Sequence, residues 1–154
     1  MEYQIVKWLH ILSSTFLFGT GIGSAFYLFF VNRARDPRAI AVLIRYVVLA
    51  DWLFTIPTIV FQPLSGIYLV RQAGFPWQSA WLVWSVVLYF LAGACWLLVV
   101  WLQLRMRDMA QEALRTGSEI PQRYWRYHRR WTKLGIPAFV SLVIVFYLMV
   151  AKPA

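Results

Sequence analysis

Apolar residues in this chain fall in four long blocks, at about 5–31, 40–70, 81–104 and 134–151. A helix crossing the hydrocarbon of a bilayer needs roughly 20 apolar residues, and each block reaches or approaches that length. Only helices and closed barrels satisfy every backbone group in lipid, and unbroken apolar runs of this length are helices. Turn residues punctuate the pattern: Asp36-Pro37 after the first block, Gly74-Phe75-Pro76 after the second, and Thr116-Gly117 well beyond the third. The third helix is expected to run past Arg105, with Met106, Ala110 and Leu114 on one side, until Gly117 stops it. The pattern therefore predicts an all-α integral membrane four-helix bundle in one domain, 1–154. Its helices are placed at about 5–31, 40–70, 79–114 and 133–151, with a basic segment at about 105–133.

Composition strengthens this picture. The 154 residues are 61% hydrophobic and 14% charged, whereas a soluble domain runs near half apolar and a quarter charged. Those proportions exclude a disordered chain, a disulfide scaffold and a Rossmann-type enzyme, and argue against a secreted product. Cys95 is the only cysteine, so neither an intrachain disulfide nor a Cys-based zinc site can form.

The net charge of +9 would suggest nucleic acid in a soluble protein, but its placement points to a membrane face. Twelve of the fifteen basic residues lie in the first and third connections and the start of the second helix, from Arg33 to Arg45 and from Arg105 to Lys133. By the positive-inside rule those connections face the cytoplasm, so both termini are expected on the outer, periplasmic side of a bacterial inner membrane. The first block has its positive charge after it and is too long for a signal peptide, so it reads as a retained helix. Trp8, Trp77, Trp81 and Trp84 are expected to form an outer aromatic belt, with Trp101, Trp125 and Trp131 near the inner surface. The run 123–131 interleaves basic and aromatic side chains and reads as an anchor on anionic headgroups. A sharper reading is capture of an anionic small molecule, since arginine suits carboxylates. His128 sits in this wet stretch and is not favoured as a ligand, and nucleic acid is not needed to explain the charge.

Ionisable residues inside a bilayer are functional candidates by default. His10 lies one or two turns inside the outer surface, and its helical face continues through Ser13, Ser14, Leu17, Gly21 and Ser24. Gly19 and Gly23 lie beside it. Small residues let a second helix or a flat macrocycle approach closely, and an imidazole next to such a groove could ligate heme iron. Equally, His10 could simply hydrogen-bond a neighbouring helix. In the second helix Asp51, Thr55, Thr58, Gln62 and Ser65 share one face by their spacing, which must turn to the bundle interior. Pro57 and Pro63 should bend that helix. With adjacent helices antiparallel, His10 falls level with about Gln62 to Gly66. Asp51 lies about 16 Å from Gln62 along the axis, so it is placed to supply protons or pair with an arginine rather than to touch iron. Met149 returns to the depth of His10.

Several motifs resemble known families. Lys7-Trp8-Leu9-His10-Ile11 resembles the Lys-x-x-His opening of HemJ-type protoporphyrinogen oxidases. Arg123-Tyr124-x-x-x-His128-Arg129-Arg130-Trp131 before Gly135-Ile136-Pro137, with Lys152-Pro153 at the end, is similar to that family's last helix. Leu49-Ala50-Asp51-Trp52, Gln62-Pro63-Leu64-x-Gly66 and Leu104-Arg105-Met106-Arg107-Asp108 look like an uncharacterised bacterial integral membrane family. The HemJ resemblance implies a four-helix, oligomeric, heme b-binding protein that oxidises protoporphyrinogen. His10 would then be the heme ligand, and Lys152 and Arg45 would be counterparts of that family's motif residues. The third helix departs from that family in having no histidine. Heme would be five-coordinate, His10/Met149-ligated, or bridged by His10 from two chains.

The expectation is thus a b-type heme protein that performs or supports a redox reaction. His10 would ligate the metal, with Ser14, Gly21, Gln62, Met149 and Lys152 around the cofactor and Asp51 and Arg45 as catalytic candidates. Expected partners are anionic headgroups, a porphyrin or quinone-like small molecule, and a second copy of the chain. The alternative is a small transporter or accessory subunit without heme, whose polar residues form a network between helices.

Overall fold

The computed structural model describes residues 1–153 and is all-helical. Its elements are α1 (Glu2–Ala34), α2 (Pro37–Ala50), a π-helical turn (Asp51–Thr55), α3 (Ile56–Ala73), α4 (Ala80–Thr116) and α5 (Gln122–Ala151). The segment from Pro37 to Ala73 is one span, so four helical passes are long and apolar enough to cross a membrane. Each pass ends where the chain can turn. Asp36 caps α2, its carboxylate accepting the Arg38 backbone N–H at 3.0 Å, and Pro37 supplies the preset φ of a first helical residue. Gly74 and Gly117 close α3 and α4 in the left-handed conformation, at φ 68° and 65°, which glycine adopts without a Cβ clash.

The two prolines in the second pass are accommodated differently. Pro57 cannot donate to the Leu53 carbonyl, and the helix just before it widens into a π turn in which Ile56 N–H reaches back to Asp51 O. Pro63 sits inside α3 and leaves the Ile59 carbonyl without its helical donor. The Tyr89 hydroxyl of α4 fills that gap, donating to Ile59 O at 2.7 Å. Tyr89→Phe should therefore destabilise the fold by about 1 kcal/mol, between the mean of about 0.6 and the maximum of about 1.7 kcal/mol for interhelical bonds in membranes. Equilibrium unfolding in mixed micelles measures it, and an unchanged stability would show that this bond contributes nothing.

The fourth pass begins well before the expected residue 133. Tyr124, Tyr127 and Trp131 recur at helical spacing and are buried, while Arg123, Arg126, Arg129 and Arg130 remain exposed on the other side of the same helix. The run that reads as a loose interfacial anchor is thus the amphipathic start of α5. It packs along the far half of α4, where Met106 and Ala110 are buried as expected, and Ala113 rather than Leu114 completes the row. At 37 residues α4 is about 55 Å long, well beyond a hydrocarbon core of about 30 Å. The α4–α5 hairpin therefore projects past the membrane at the basic end.

The main core lies at that end and joins Leu28, Ile40, Ile44, Leu102, Met106 and Tyr124. A smaller cluster of Val70, Trp81 and Leu82 lies toward the termini. Trp81, expected in the aromatic belt, is instead a core residue edge-on to Phe75, whereas Trp8, Trp77 and Trp84 are exposed. Trp131 and Trp125 likewise pack on the main core rather than standing in a belt.

Candidate functional site

Between the two clusters the passes separate around a cavity of about 540 Å³. Each wall keeps its side chains short: Gly21 and Ala25 on α1, Ala92 and Gly93 on α4, Gly135 and Ala138 on α5. Aromatic rings complete the wall, among them Phe18, Trp96 and Phe139. Phe26, Ile136 and Phe139 line the cavity and are also exposed outside. The space therefore opens sideways between α1 and α5, toward lipid. Side chains leave this space unfilled, so lipid or a ligand can occupy it.

One end of this space is polar. Asp51, at the start of the π turn, is buried and accepts a hydrogen bond from the Thr55 hydroxyl at 2.9 Å. With its amide oriented to satisfy both neighbours, Gln103 donates to Asp51 Oδ2 at 2.8 Å and accepts from the Trp131 indole N–H at 3.3 Å. Asp51, Thr55, Gln103 and Trp131 all border the cavity. They come from three passes, and the side chain that joins them is Gln103. An uncharged amide between a carboxylate and an indole lets every buried polar group find a partner, as a low-dielectric site requires.

The polar stripe faces inward as its spacing implies: Asp51, Thr55, Thr58, Gln62 and Ser65 are all buried. Only its first two members reach the cavity. Thr58 donates to the carbonyls of Phe54 and Thr55 within its own helix. Gln62 and Ser65 meet α1 near its start. There the Gln62 amide donates to the His10 carbonyl at 2.8 Å, and His10 Nδ1 lies 2.7 Å from Ser65 Oγ. The imidazole edge also covers Gly66, 3.6 Å from where a Cβ would stand. His10 thus sits at the depth that helix arithmetic gives it. The Ser65 hydroxyl also lies 2.7 Å from the Phe61 carbonyl and 3.2 Å from that of Gln62. His10 Nε2 has no hydrogen-bond partner among the described residues.

The remaining candidates scatter. Gly21 lines the cavity, while Ser14 donates to the Ile11 carbonyl of its own helix. Arg45 is exposed on α2 with its guanidinium over Tyr46, and forms no ion pair with Asp51. Met149 is exposed on α5. Lys152 places its ammonium 4.5 Å from the Phe75 ring centre and 5.8 Å from that of Trp81, capping the smaller cluster. Gly19 and Gly23 receive no neighbouring helix, since a Cβ on either would meet nothing within 4 Å. Among the described residues no three His, Cys, Asp or Glu side chains gather where a metal ion could be held. The structure therefore makes two separate groups of the candidates, Asp51 with Gly21 at the cavity and His10 with Gln62 near the termini.

Gln103 and Tyr89 are absent from the sequence-derived candidates. Ser85, Tyr89 and Gln103 are spaced i, i+4 and i+18 on one face of α4, so a periodic signal like that of the second pass is present there. The carbonyl freed by Pro63 needs a donor and Asp51 needs a neutral partner, and those two needs also point to Tyr89 and Gln103.

The family model described as Predicted integral membrane protein (DUF2269) matches residues 4–153. No curated protein and no solved structure matches the chain. These findings agree with the resemblance to an uncharacterised membrane family and give no support to the HemJ-type resemblance. With nearly its whole length matched, the chain belongs to the predicted integral membrane protein family DUF2269.

Proposed function

We propose that this protein takes one apolar, ring-bearing small molecule with carbonyl acceptors, quinone-like in chemistry, from the membrane into its lateral cavity. The observation that carries this reading is the Asp51–Gln103 pair at one end of an otherwise apolar, aromatic-walled space. A lipid tail would need no buried carboxylate. A polar solute would need more polar wall. A ring whose carbonyl can accept from the Gln103 amide matches both parts, and the volume falls within the range usual for small-molecule sites. The role this supports is that of a carrier or accessory subunit, close to the alternative in which the polar side chains link the helices.

The test uses the purified protein in detergent and a short-chain benzoquinone as probe. Trp96 and Trp131 line the cavity, so saturable quenching of indole emission at one equivalent supports the reading. Quenching that rises linearly with probe, as for free partition into micelles, contradicts it.

A second reading, heme b on His10, has one observation in its favour, the uncommitted Nε2. A histidine whose Nδ1 is held by a hydrogen bond has its Nε2 oriented, as in metal-ligating histidines. Against it, His10 does not line the cavity, and its ring already packs on α3. The residues around it do not fit a macrocycle within one chain, and no step is derived through one. Added hemin should accordingly leave no Soret band that His10→Ala removes; such a band, with iron at one per chain or one per two chains, would restore this reading.

The charge distribution supports an inner-membrane placement with the basic end in the cytoplasm and both termini outside. A cysteine placed at Pro121 should resist labelling by an impermeant maleimide in intact cells, and ready labelling would reverse the orientation.

A further inference from the structure

The basic end carries a second, smaller site that neither the family nor the cavity accounts for. A pocket of about 290 Å³ is lined by Asn32, Arg33 and Arg35 at the end of α1 and by Trp125 and His128 of α5. Its floor is a chain of hydrogen bonds. Tyr124, fully buried, donates to Asn32 Oδ1 at 2.7 Å, and Asn32 Nδ2 donates to the Leu28 carbonyl at 2.6 Å. The same amide nitrogen faces His128 Nδ1 at 3.5 Å. A donor facing a ring nitrogen requires that nitrogen to carry the lone pair, which puts the proton of a neutral His128 on Nε2. The ring is further fixed by stacking on Trp131.

The side-chain acceptors of the floor are thus engaged, and the side chains left facing the pocket offer donors: the His128 Nε2–H and two guanidinium groups. Arg35 lies over the Trp125 ring at 5.3 Å and Arg33 over Phe29 at 5.8 Å, and neither has a carboxylate partner among the described residues. The nearest acidic residue in the chain, Asp36, already holds the Arg38 backbone N–H. Arg35 itself is held at φ 55°, a left-handed backbone unusual for a residue with a side chain, and this projects its guanidinium beside Trp125. Two forked donors lining one pocket without a carboxylate partner suit a multi-oxygen anion.

We infer that this pocket binds one phosphate group, held between Arg33, Arg35 and His128 where α1 leaves the bilayer. The group could reach it from a phospholipid headgroup or as free phosphate, and the chemistry is the same. The experiment uses the full chain in detergent, with native mass spectrometry against dioleoylphosphatidylglycerol and calorimetry against inorganic phosphate. Three proteins are compared: wild type, R33Q/R35Q, and R129Q/R130Q as a charge-matched control on the exposed face of α5. All four arginines are exposed, so both variants should fold, and the elution profile checks this.

The expected result is one lipid per chain, weakened at least tenfold in R33Q/R35Q and less than twofold in the control. Stoichiometric inorganic phosphate binding with the same dependence on Arg33 and Arg35 would assign the free anion instead. Equal weakening in both variants, or no one-to-one binding of either probe, would overturn the site and leave only diffuse attraction between a basic face and anionic lipid. Because the cavity plays no part in these measurements, the outcome is separate from that of the quinone titration.

Discussion

Gly93→Leu is expected to abolish ligand binding in the cavity, with at least a twentyfold loss of affinity for a short-chain quinone, while the protein stays folded. Gly93 lines the cavity, and a Cβ built on it meets nothing within 4 Å. A leucine there enters the space that the ligand needs rather than a neighbouring helix. Gly93 lies within α4 with no special φ, so the substitution also removes a helix-interior glycine, worth nearly 1 kcal/mol in its own right. Stability should hold or rise as binding disappears. This opposite movement is what separates a blocked site from a damaged fold. Gly135→Leu on the facing wall, where a Cβ is equally free, should behave the same way. Titration by indole quenching, beside thermal unfolding of the same preparations, reads both quantities.

The second large effect concerns the polar end. Asp51→Leu should destabilise the protein by about 2 kcal/mol, because it strands the Gln103 amide and the Thr55 hydroxyl in a low-dielectric interior. Removing both partners should do less harm than removing one. In Asp51→Leu/Gln103→Leu no amide is left unpaired, so the double variant should be at least as stable as Asp51→Leu, with a coupling of about 1–2 kcal/mol from the double-mutant cycle. This is at the upper end for a single interhelical bond in a membrane, as expected where Gln103 also holds Trp131. Strict additivity would show that Asp51 and Gln103 do not depend on each other. The double variant should not retain the quinone, since the ligand's carbonyl would have lost the Gln103 amide.

Much of this architecture is legible in the amino-acid sequence. The spacing of Asp51, Thr55, Thr58, Gln62 and Ser65 places five polar groups on one face, and a bilayer leaves that face nowhere to go but inward; all five are buried. Asp36-Pro37, Gly74 and Gly117 mark ends because each meets a specific backbone need. What escapes is whatever depends on two distant segments meeting. Gln103 finds Asp51 across 52 residues of chain and Tyr89 finds the carbonyl freed by Pro63 across 30, and neither pairing leaves a local signal. The start of α5 is hidden for another reason. Its arginines dominate the reading of 123–131, while the burial of Tyr124, Tyr127 and Trp131 depends on α4 continuing far enough to meet them. The small-residue stripe of α1 shows the opposite failure. Gly21 does open a space, but it opens on Asp51 and not on His10, because the imidazole turns toward α3 and is held there by Ser65.

Photocrosslinking tests the central claim, that the lateral cavity is the binding site, most directly. A short-chain quinone bearing a photoreactive group, irradiated with the purified protein and mapped by peptide mass spectrometry, should label Trp96 and residues around Gly21 and Ala138, and Gly93→Leu should erase those labels. Equal labelling of the outward-facing Phe90 and Leu97 of the same helix, unchanged by Gly93→Leu, would show that the probe merely coats the lipid-facing surface.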